Sequence, residues 1–179
     1  MTRPVFPPWL IRELRADHAG ETGAVWIYRG VLAVSRSPEV VAFAAGHLAT
    51  ESRHLREIER VLETRERSRM LAVWRVAGWL TGALPALVGP DAVFQTVAAV
   101  ETFVDQHYRQ QIERLSASTS LPRHLEMIHA VLVDCRSDEI AHRDEALALS
   151  TGSRGLLIGL WCYAVAVGSE AAVKCARVV

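Results

Sequence analysis

Cysteine is scarce in this chain, and an excess of basic residues is absent. Only three cysteines occur among 179 residues, and Cys135, Cys162 and Cys175 form no CxxC pair. An odd number of cysteines with no CxxC motif argues against a disulfide framework or a zinc ribbon and favours a reducing compartment. Twenty Lys and Arg residues balance twenty Asp and Glu residues. Proteins that grip nucleic-acid phosphates usually have a basic excess, so we expect no nucleic-acid partner.

Several kinds of segment are also missing from the sequence. The first ten residues contain three prolines and no apolar run, so we expect neither a signal peptide nor a transit peptide. No GxGxxG fingerprint is present, which argues against a Rossmann module for a dinucleotide. What the chain does have is apolar residues, at 50% of the total, with a mean hydropathy of +0.15. Residues 1–179 are therefore expected to form a single domain with a substantial core.

Glycine and proline divide the chain into long segments rich in Ala, Leu and Arg, which predicts an all-α protein. Two further segments, 70–89 and 155–175, are mostly apolar, so a four-helix bundle with two additional apolar helices is expected. The four long helices are predicted from Pro8 to about Ser35, from Ser37 to about Arg67, from Gly89 to about Leu115, and from Pro122 to about Leu149.

A pattern of acidic residues and histidines occurs twice along these helices. Glu21 lies 30 residues before Glu51, and His54 follows Glu51 by three. A second glutamate and a second Glu-x-x-His motif follow the same order on the third and fourth long helices, at Glu101, Glu139 and His142. Each half of the chain therefore has a lone glutamate on one helix and a Glu-x-x-His motif on the next.

This spacing predicts a site for two metal ions. Residues three apart lie on one helix face, with Cβ atoms about 5–6 Å apart, so each Glu-x-x-His pair can bind one ion. Glu21 and Glu101 are expected on the neighbouring helices, free to bridge. Four carboxylates and two imidazoles form the ligand set of a carboxylate-bridged site in a bundle, and they suit iron or manganese. A single Glu-x-x-His motif on a solvated helix is common without a metal, but Glu101 lies in the apolar stretch 97–104 and needs a partner there.

Other polar residues are candidates for the surroundings of this site. Asp138 is predicted either to accept a hydrogen bond from the ring of His54 or to be a surface acid. Tyr108 shares the helix face of Glu101 and is expected to reach the substrate or to lie in the core. His107 is expected at the rim of the pocket. The remaining histidines are expected to have capping, surface or structural roles: His18 with Asp17, and His47, His124 and His129.

The motifs together resemble those of the demethoxyubiquinone hydroxylases, which are di-iron monooxygenases of ubiquinone biosynthesis. The similar segments include residues 17–24, 51–54, 74–78 and 138–144, and they extend over nearly the whole chain. The resemblance implies a ferritin-like fold and two iron ions held by six residues: Glu21, Glu51, His54, Glu101, Glu139 and His142. It also implies O2 as co-substrate, NADH as a possible reductant and a polyprenyl benzoquinol as substrate, with one oxygen atom inserted into a ring C–H bond.

The two apolar helices fit a lipid substrate. Residues 76–89 and 155–169 contain no Asp, Glu, Lys or Arg. We interpret them as walls of a hydrophobic channel and as a surface dipping into one leaflet, which predicts a peripheral protein on the cytoplasmic face of the inner membrane. Nearby arginines are expected to meet anionic lipid head groups. The open alternative is that these helices cover the bundle or form an interface in a homo-oligomer or biosynthetic complex.

Two other functions remain possible at this point. An iron-oxidising or peroxide-scavenging protein of the ferritin or rubrerythrin kind uses the same ligand types but does not need two uncharged apolar helices. A membrane-associated scaffold needs the apolar helices but no metal. Metal content and associated quinones distinguish these readings.

Overall fold

The computed structural model describes residues 6–118, 120–152 and 155–179. These ranges contain six α-helices, one short 3-10 turn at Thr64–Glu66 and no strand, which confirms the all-α prediction. The helices are α1 (Pro8–Val34), α2 (Pro38–Val61), α3 (Leu71–Val88), α4 (Pro90–Ser116), α5 (Arg123–Leu149) and α6 (Leu156–Ala176).

Proline marks most of the helix starts. Pro8, Pro38 and Pro90 each lie in the first turn of a helix, where their missing N–H would have no intrahelical partner. Pro122 directly precedes α5. These residues made the starts predictable from sequence.

The end of α2 was predicted wrongly. The helix ends at Val61 rather than near Arg67, although no Gly or Pro interrupts this stretch. Leu62 leaves the helix in an extended conformation, and its side chain is buried with Ile58 and Leu115. Tertiary packing therefore ends the helix here, and a local sequence signal is not needed.

Helices α1, α2, α4 and α5 form the four-helix bundle. Short loops join α1 to α2 and α4 to α5, and each of these pairs is in contact along its length. One apolar cluster lies at each end of the bundle: the first contains Tyr28, Phe43 and Phe94, and the second contains Leu14 and Leu132. The middle of the bundle, between these clusters, is left for polar side chains.

Helix α3 packs on α1 through glycines, with backbone approaching backbone. A Cβ atom added at Gly82 would lie 1.9 Å from the carbonyl oxygen of Ile27, and one at Gly78 would lie 2.3 Å from that of Gly23. On the other side of the contact, a Cβ at Gly30 would lie 2.2 Å from the carbonyl oxygen of Trp79. Only glycine fits at these positions. We call this contact the glycine seam.

Helix α6 lies against α4 and α1 and is held by side chains. Trp161 Nε1 donates to Thr96 Oγ1 at 3.0 Å. At the other end of α6, Arg177 Nε donates to Glu13 Oε2 at 2.9 Å, and Val173 and Ala176 are buried against α1. The two apolar helices therefore flank α1 and α4 on one side of the bundle.

Candidate metal centre

Four helices bring the six predicted ligands together in the middle of the bundle. Glu21 comes from α1, the pair Glu51 and His54 from α2, Glu101 from α4, and the remaining pair from α5. Each Glu-x-x-His pair occupies one face of its helix, as its spacing requires. All six side chains are buried, and the most exposed, His142, is only 6% exposed.

Their donor atoms form two groups, within each of which all atoms lie within 4.8 Å of one another. One group consists of Glu21, Glu51, His54 and Glu139, and the other consists of Glu51, Glu101, Glu139 and His142. Glu51 and Glu139 belong to both groups. Glu21 and Glu101 were expected to be free to bridge, but the glutamates of the two Glu-x-x-His motifs are the ones placed to serve both groups. The lone glutamates each belong to a single group.

The histidine rings point their Nδ1 atoms at these carboxylates. Nδ1 of His54 lies 3.2 Å from Glu139 Oε1 and 3.6 Å from Glu51 Oε2. Nδ1 of His142 lies 3.0 Å from Glu51 Oε1 and 3.5 Å from Glu139 Oε2. Each ring thus faces both shared glutamates.

Many buried polar atoms at this centre lack a hydrogen-bond partner among the described residues. They include Glu21 Oε2, both Glu139 oxygens, Glu51 Oε1 and the two histidine Nδ1 atoms. Unpaired buried polar atoms are rare in proteins, and a cluster of them with ligand chemistry is typical of an ion-binding site. The hard oxygen and imidazole donors have the chemistry of iron or manganese ligands. The residues present therefore fit a pair of such ions.

The protonation of the centre reflects the crowding of its acids. Burial and the charges of Glu51 and Glu139 raise the pKa of Glu101 well above its ordinary value, and burial likewise raises that of Glu21. Burial also acts on Glu51, but contacts with the two histidines outweigh it and hold its pKa low. Burial lowers the pKa of His142, yet Glu139 and Glu51 raise it to about 9. Protons thus balance the side-chain charges, and bound cations would replace them.

Asp138 orients the ring of His54. Its Oδ2 atom lies 3.0 Å from Nε2 of His54, on the side of the ring away from the carboxylates. Arg53 donates to Asp138 and, at 2.7 Å, to Asp134 Oδ2. This contact is the first of the two arrangements predicted for Asp138. A carboxylate in this place fixes the ring and makes the other nitrogen a better ligand.

Two buried tyrosines hold the lone glutamates. Tyr108 donates a hydrogen bond to Glu21 Oε1, and Tyr28 donates one to Glu101 Oε1 at 2.9 Å. Both hydroxyls remain protonated because burial and nearby carboxylates raise the pKa of each tyrosine well above 10. Tyr108 was identified from the sequence as a candidate residue near the site. The contact of Tyr28 with Glu101 was not, because it depends on how α1 packs on α4.

A second polar cluster lies beside the centre. His107 Nε2 lies 2.8 Å from Asp17 Oδ1, and Gln111 Nε2 donates to the same oxygen at 2.8 Å. Gln111 was not identified from sequence, although it follows His107 by four residues and so shares its helix face. His107 is buried and lines the wall of a cavity, which agrees with the position expected for it.

A cavity of about 500 Å³ connects the centre to the apolar helices. Glu21, Glu51, Glu101 and Glu139 lie in its wall, together with Tyr108 and His107. The rest of the wall is mostly apolar and includes Trp74 and Ala77 from α3 and Ala164, Val165 and Gly168 from α6. The cavity therefore has a carboxylate-lined part and an apolar part, as the channel interpretation predicted.

The other predicted residues are not among the six candidate ligands. His18 Nε2 lies 3.4 Å from Glu59 Oε1, so its partner is on α2 rather than the expected Asp17. Asp105, which follows Glu101 by four residues, binds Arg136 and Arg143 of α5. His47 is not a surface residue. It is buried, and its ring stacks on that of His142.

Comparison with known proteins gives matches along nearly the whole chain. The model of the family described as ubiquinone biosynthesis protein COQ7 matches residues 8–176. A 3-demethoxyubiquinol 3-hydroxylase of Rhodospirillum rubrum is 38% identical over 146 residues, which are 80% of this chain and 65% of that protein. An NADPH-dependent 3-demethoxyubiquinone 3-hydroxylase, mitochondrial, of Mus musculus is 34% identical over 138 residues, which are 76% of this chain and 63% of that protein.

The chain thus spans slightly less than two thirds of the length of these curated relatives. A 5-demethoxyubiquinone hydroxylase of Saccharomyces cerevisiae is also similar, with 29% identity over 154 residues, 78% of this chain and 65% of that protein. These matches confirm the resemblance predicted from the motifs. From its fold, its paired Glu-x-x-His motifs and the match over residues 8–176, the chain belongs to the COQ7 family of ubiquinone biosynthesis proteins.

Proposed function

We propose that this protein is a monooxygenase that uses O2 to hydroxylate a demethoxyubiquinol-type polyprenyl benzoquinol in ubiquinone biosynthesis. The observation that carries this proposal is the cavity, which joins four candidate ligand glutamates to apolar walls from α3 and α6. A quinol with a prenyl tail likewise has a polar ring, which suits the part lined by glutamates, and an apolar tail, which suits the apolar walls. The names of the relatives from Rhodospirillum and mouse support the same substrate class.

The proposed cofactor is a pair of iron ions held by Glu21, Glu51, His54, Glu101, Glu139 and His142. The Glu/His cluster fits a metal-dependent enzyme. Four carboxylates contribute four negative charges, which two divalent ions neutralise, so the loaded site would not leave a large buried charge. When bound, the two ions would supply the chemistry that reduces O2.

The reaction balances with an external reductant. One oxygen atom of O2 is inserted into a ring C–H bond, and the other leaves as water after taking up two electrons and two protons. The mouse relative is named NADPH-dependent, so we propose a reduced nicotinamide nucleotide as the source of the electrons. NADH, expected from the resemblance, belongs to the same chemical class.

The residues of the chain would bind and orient the quinol. Apolar side chains of α3 and α6 would hold the prenyl tail and exclude water from the centre. Tyr108 and His107 offer hydrogen-bonding groups for the ring oxygens in the part of the wall next to Glu21. Asp17 and Gln111 would keep the His107 ring in place.

Isotope labelling tests the reaction type. Turnover with 18-O2 and a demethoxyquinol should give a product containing one 18-O atom, whereas turnover in 18-O-labelled water with ordinary O2 should give none. Oxidation of iron without any labelled quinone, across several tail lengths and ring patterns, would contradict the proposal. That result would favour the alternative of a ferritin-like iron-oxidising or peroxide-scavenging protein.

We also propose that the protein lies peripherally on the cytoplasmic face of the cell membrane, with α3 and α6 against the lipid. Both helices are long and apolar enough to cross a membrane by length and composition alone, with mean hydropathies of 1.4 and 1.7. Their outer faces expose large side chains such as Leu87 and Leu157. Arg65, Arg69 and Arg75 are exposed nearby and could meet anionic head groups, whereas Arg67, also expected to do so, pairs with Glu59 at 2.7 Å.

A further inference from the structure

The two donor groups of the candidate metal centre are held in place by different kinds of neighbouring residue. The group containing Glu21 and His54 is supported by charged residues, because Asp138 lies on the far nitrogen of His54 and Arg53 binds Asp138. Among the described residues, no carboxylate approaches the far nitrogen of His142 in this way. The ring of His47 stacks on His142 instead, with centroids 3.9 Å apart and an interplanar angle of 31°.

Glu101 and His142 belong only to the second donor group, and His47 lies close to the residues that hold both of them. Besides stacking on His142, its Nδ1 atom lies 3.3 Å from the hydroxyl of Tyr28, which donates to Glu101 at 2.9 Å. The other face of its ring packs on Phe43, with centroids 4.0 Å apart. Nε2 of His47 lies 3.0 Å from Glu145 Oε2 on α5. The His47 ring is therefore fixed on both faces and at both nitrogens.

The sequence explains how one residue reaches this position. Phe43, His47 and Glu51 are spaced four apart on α2, so they lie along one face with the shared glutamate at its end. His142 reaches the same level from α5, three residues before Glu145. His47 thus lies between the helix that carries Glu51 and the helix that carries His142.

We infer that His47 is a positioning residue that holds Glu101 and His142 in place for the second of two metal ions, and that this ion is bound less tightly than the one held by Glu21 and His54. The inference rests on the proposed metal centre. A carboxylate on the far nitrogen makes His54 the better ligand, and loss of such a partner typically lowers metal affinity about 10- to 100-fold. The second site has no such carboxylate among the described residues and is supported by the tilted ring of His47, so its ion depends on ring packing.

Metal titration of the unloaded protein tests this inference. With Mn2+ as probe, the parent should bind two ions in two steps of unequal affinity. His47→Ala should weaken only the weaker step, by about 10-fold or more, and its electron paramagnetic resonance spectrum should show an isolated ion where the parent shows a coupled pair. Tyr28→Phe, which removes one hydroxyl, should weaken the same step to a smaller extent.

Asp138→Asn is the matched control, because it alters the far nitrogen of His54 and should weaken the tighter step. His47→Phe keeps a flat ring between Phe43 and His142, so it should recover part of the lost affinity. Equal weakening of both steps in His47→Ala and His47→Phe, or two unchanged steps in both, would overturn the inference. A parent that binds no metal would instead overturn the proposed function, which separates the two failures.

Discussion

Among the six candidate ligands, Glu51 and Glu139 differ from the rest because each belongs to both donor groups. Every buried oxygen of Glu139 lacks a hydrogen-bond partner among the described residues, while Glu21 and Glu101 each accept a hydrogen bond from a tyrosine. Glu139 thus has no hydrogen bond of this kind, and both shared glutamates are positioned to serve two ions.

This difference predicts unequal losses on substitution. Glu139→Ala should remove both ions, because both donor groups lose a carboxylate, whereas Glu21→Ala should leave about one ion of the two expected. Metal content per chain, measured by mass spectrometry after desalting, checks both values. Glu126→Ala, an exposed acid on the same helix, is the control and should keep the parental content. Unchanged iron in Glu139→Ala would show that the ligand assignment is wrong.

At the scale of helices, their starts could be predicted and one end could not. Proline in the first turn indicated where α1, α2 and α4 begin, since its fixed φ angle and missing N–H suit that position. The end of α2 has no such signal. Leu62 turns into the core, and Arg15 binds the carbonyl of Glu66 at 2.5 Å, so contacts with distant helices decide where α2 stops.

The glycine seam gives a prediction about stability. Gly82→Ala would bring a Cβ atom to 1.9 Å from the Ile27 carbonyl oxygen, which is backbone and cannot move aside. The free energy of unfolding should fall by at least about 1–3 kcal/mol, as overpacking usually costs. Gly159→Ala in α6 is the control, because its Cβ would meet no atom within 4 Å. Chemical denaturation of both variants checks the difference, and equal stabilities would contradict backbone contact at the seam.

For the molecule as a whole, some features of the site could be predicted from the sequence and others could not. The Glu-x-x-His motifs and the lone glutamate on the helix before each of them identified all six side chains that converge, because spacing along a helix fixes the face a residue occupies. The assignment of the shared glutamates, the partner of Tyr28 and the stack of His47 on His142 depend on the rotation of one helix against another. The spacing of residues within one helix gives no information about that rotation.

The exposed apolar faces of α3 and α6 predict membrane binding by the whole protein. Leu157→Lys places a charge on a side chain that is 80% exposed on α6, at a cost of about 2.5–3.5 kcal/mol if that residue enters the bilayer. The protein should move from the membrane fraction toward the soluble fraction. Val133→Lys, on an exposed position of α5, is the control and should leave the distribution unchanged. A Leu157→Lys protein that still sediments with vesicles like the parent would show that α6 does not contact lipid.

The glycine seam also determines which wall of the cavity can move. Because backbone packs directly on backbone at the seam, α3 is held firmly against α1. A Cβ atom added at Gly159 or Gly168 of α6 would meet no atom within 4 Å, and α6 is held instead by side-chain hydrogen bonds, from Trp161 to Thr96 near its start and from Arg177 to Glu13 at its end. A long-tailed guest would therefore enter by displacing α6 rather than α3, and the hydrogen bond from Trp161 to Thr96 would have to break for the first turns of α6 to move outward.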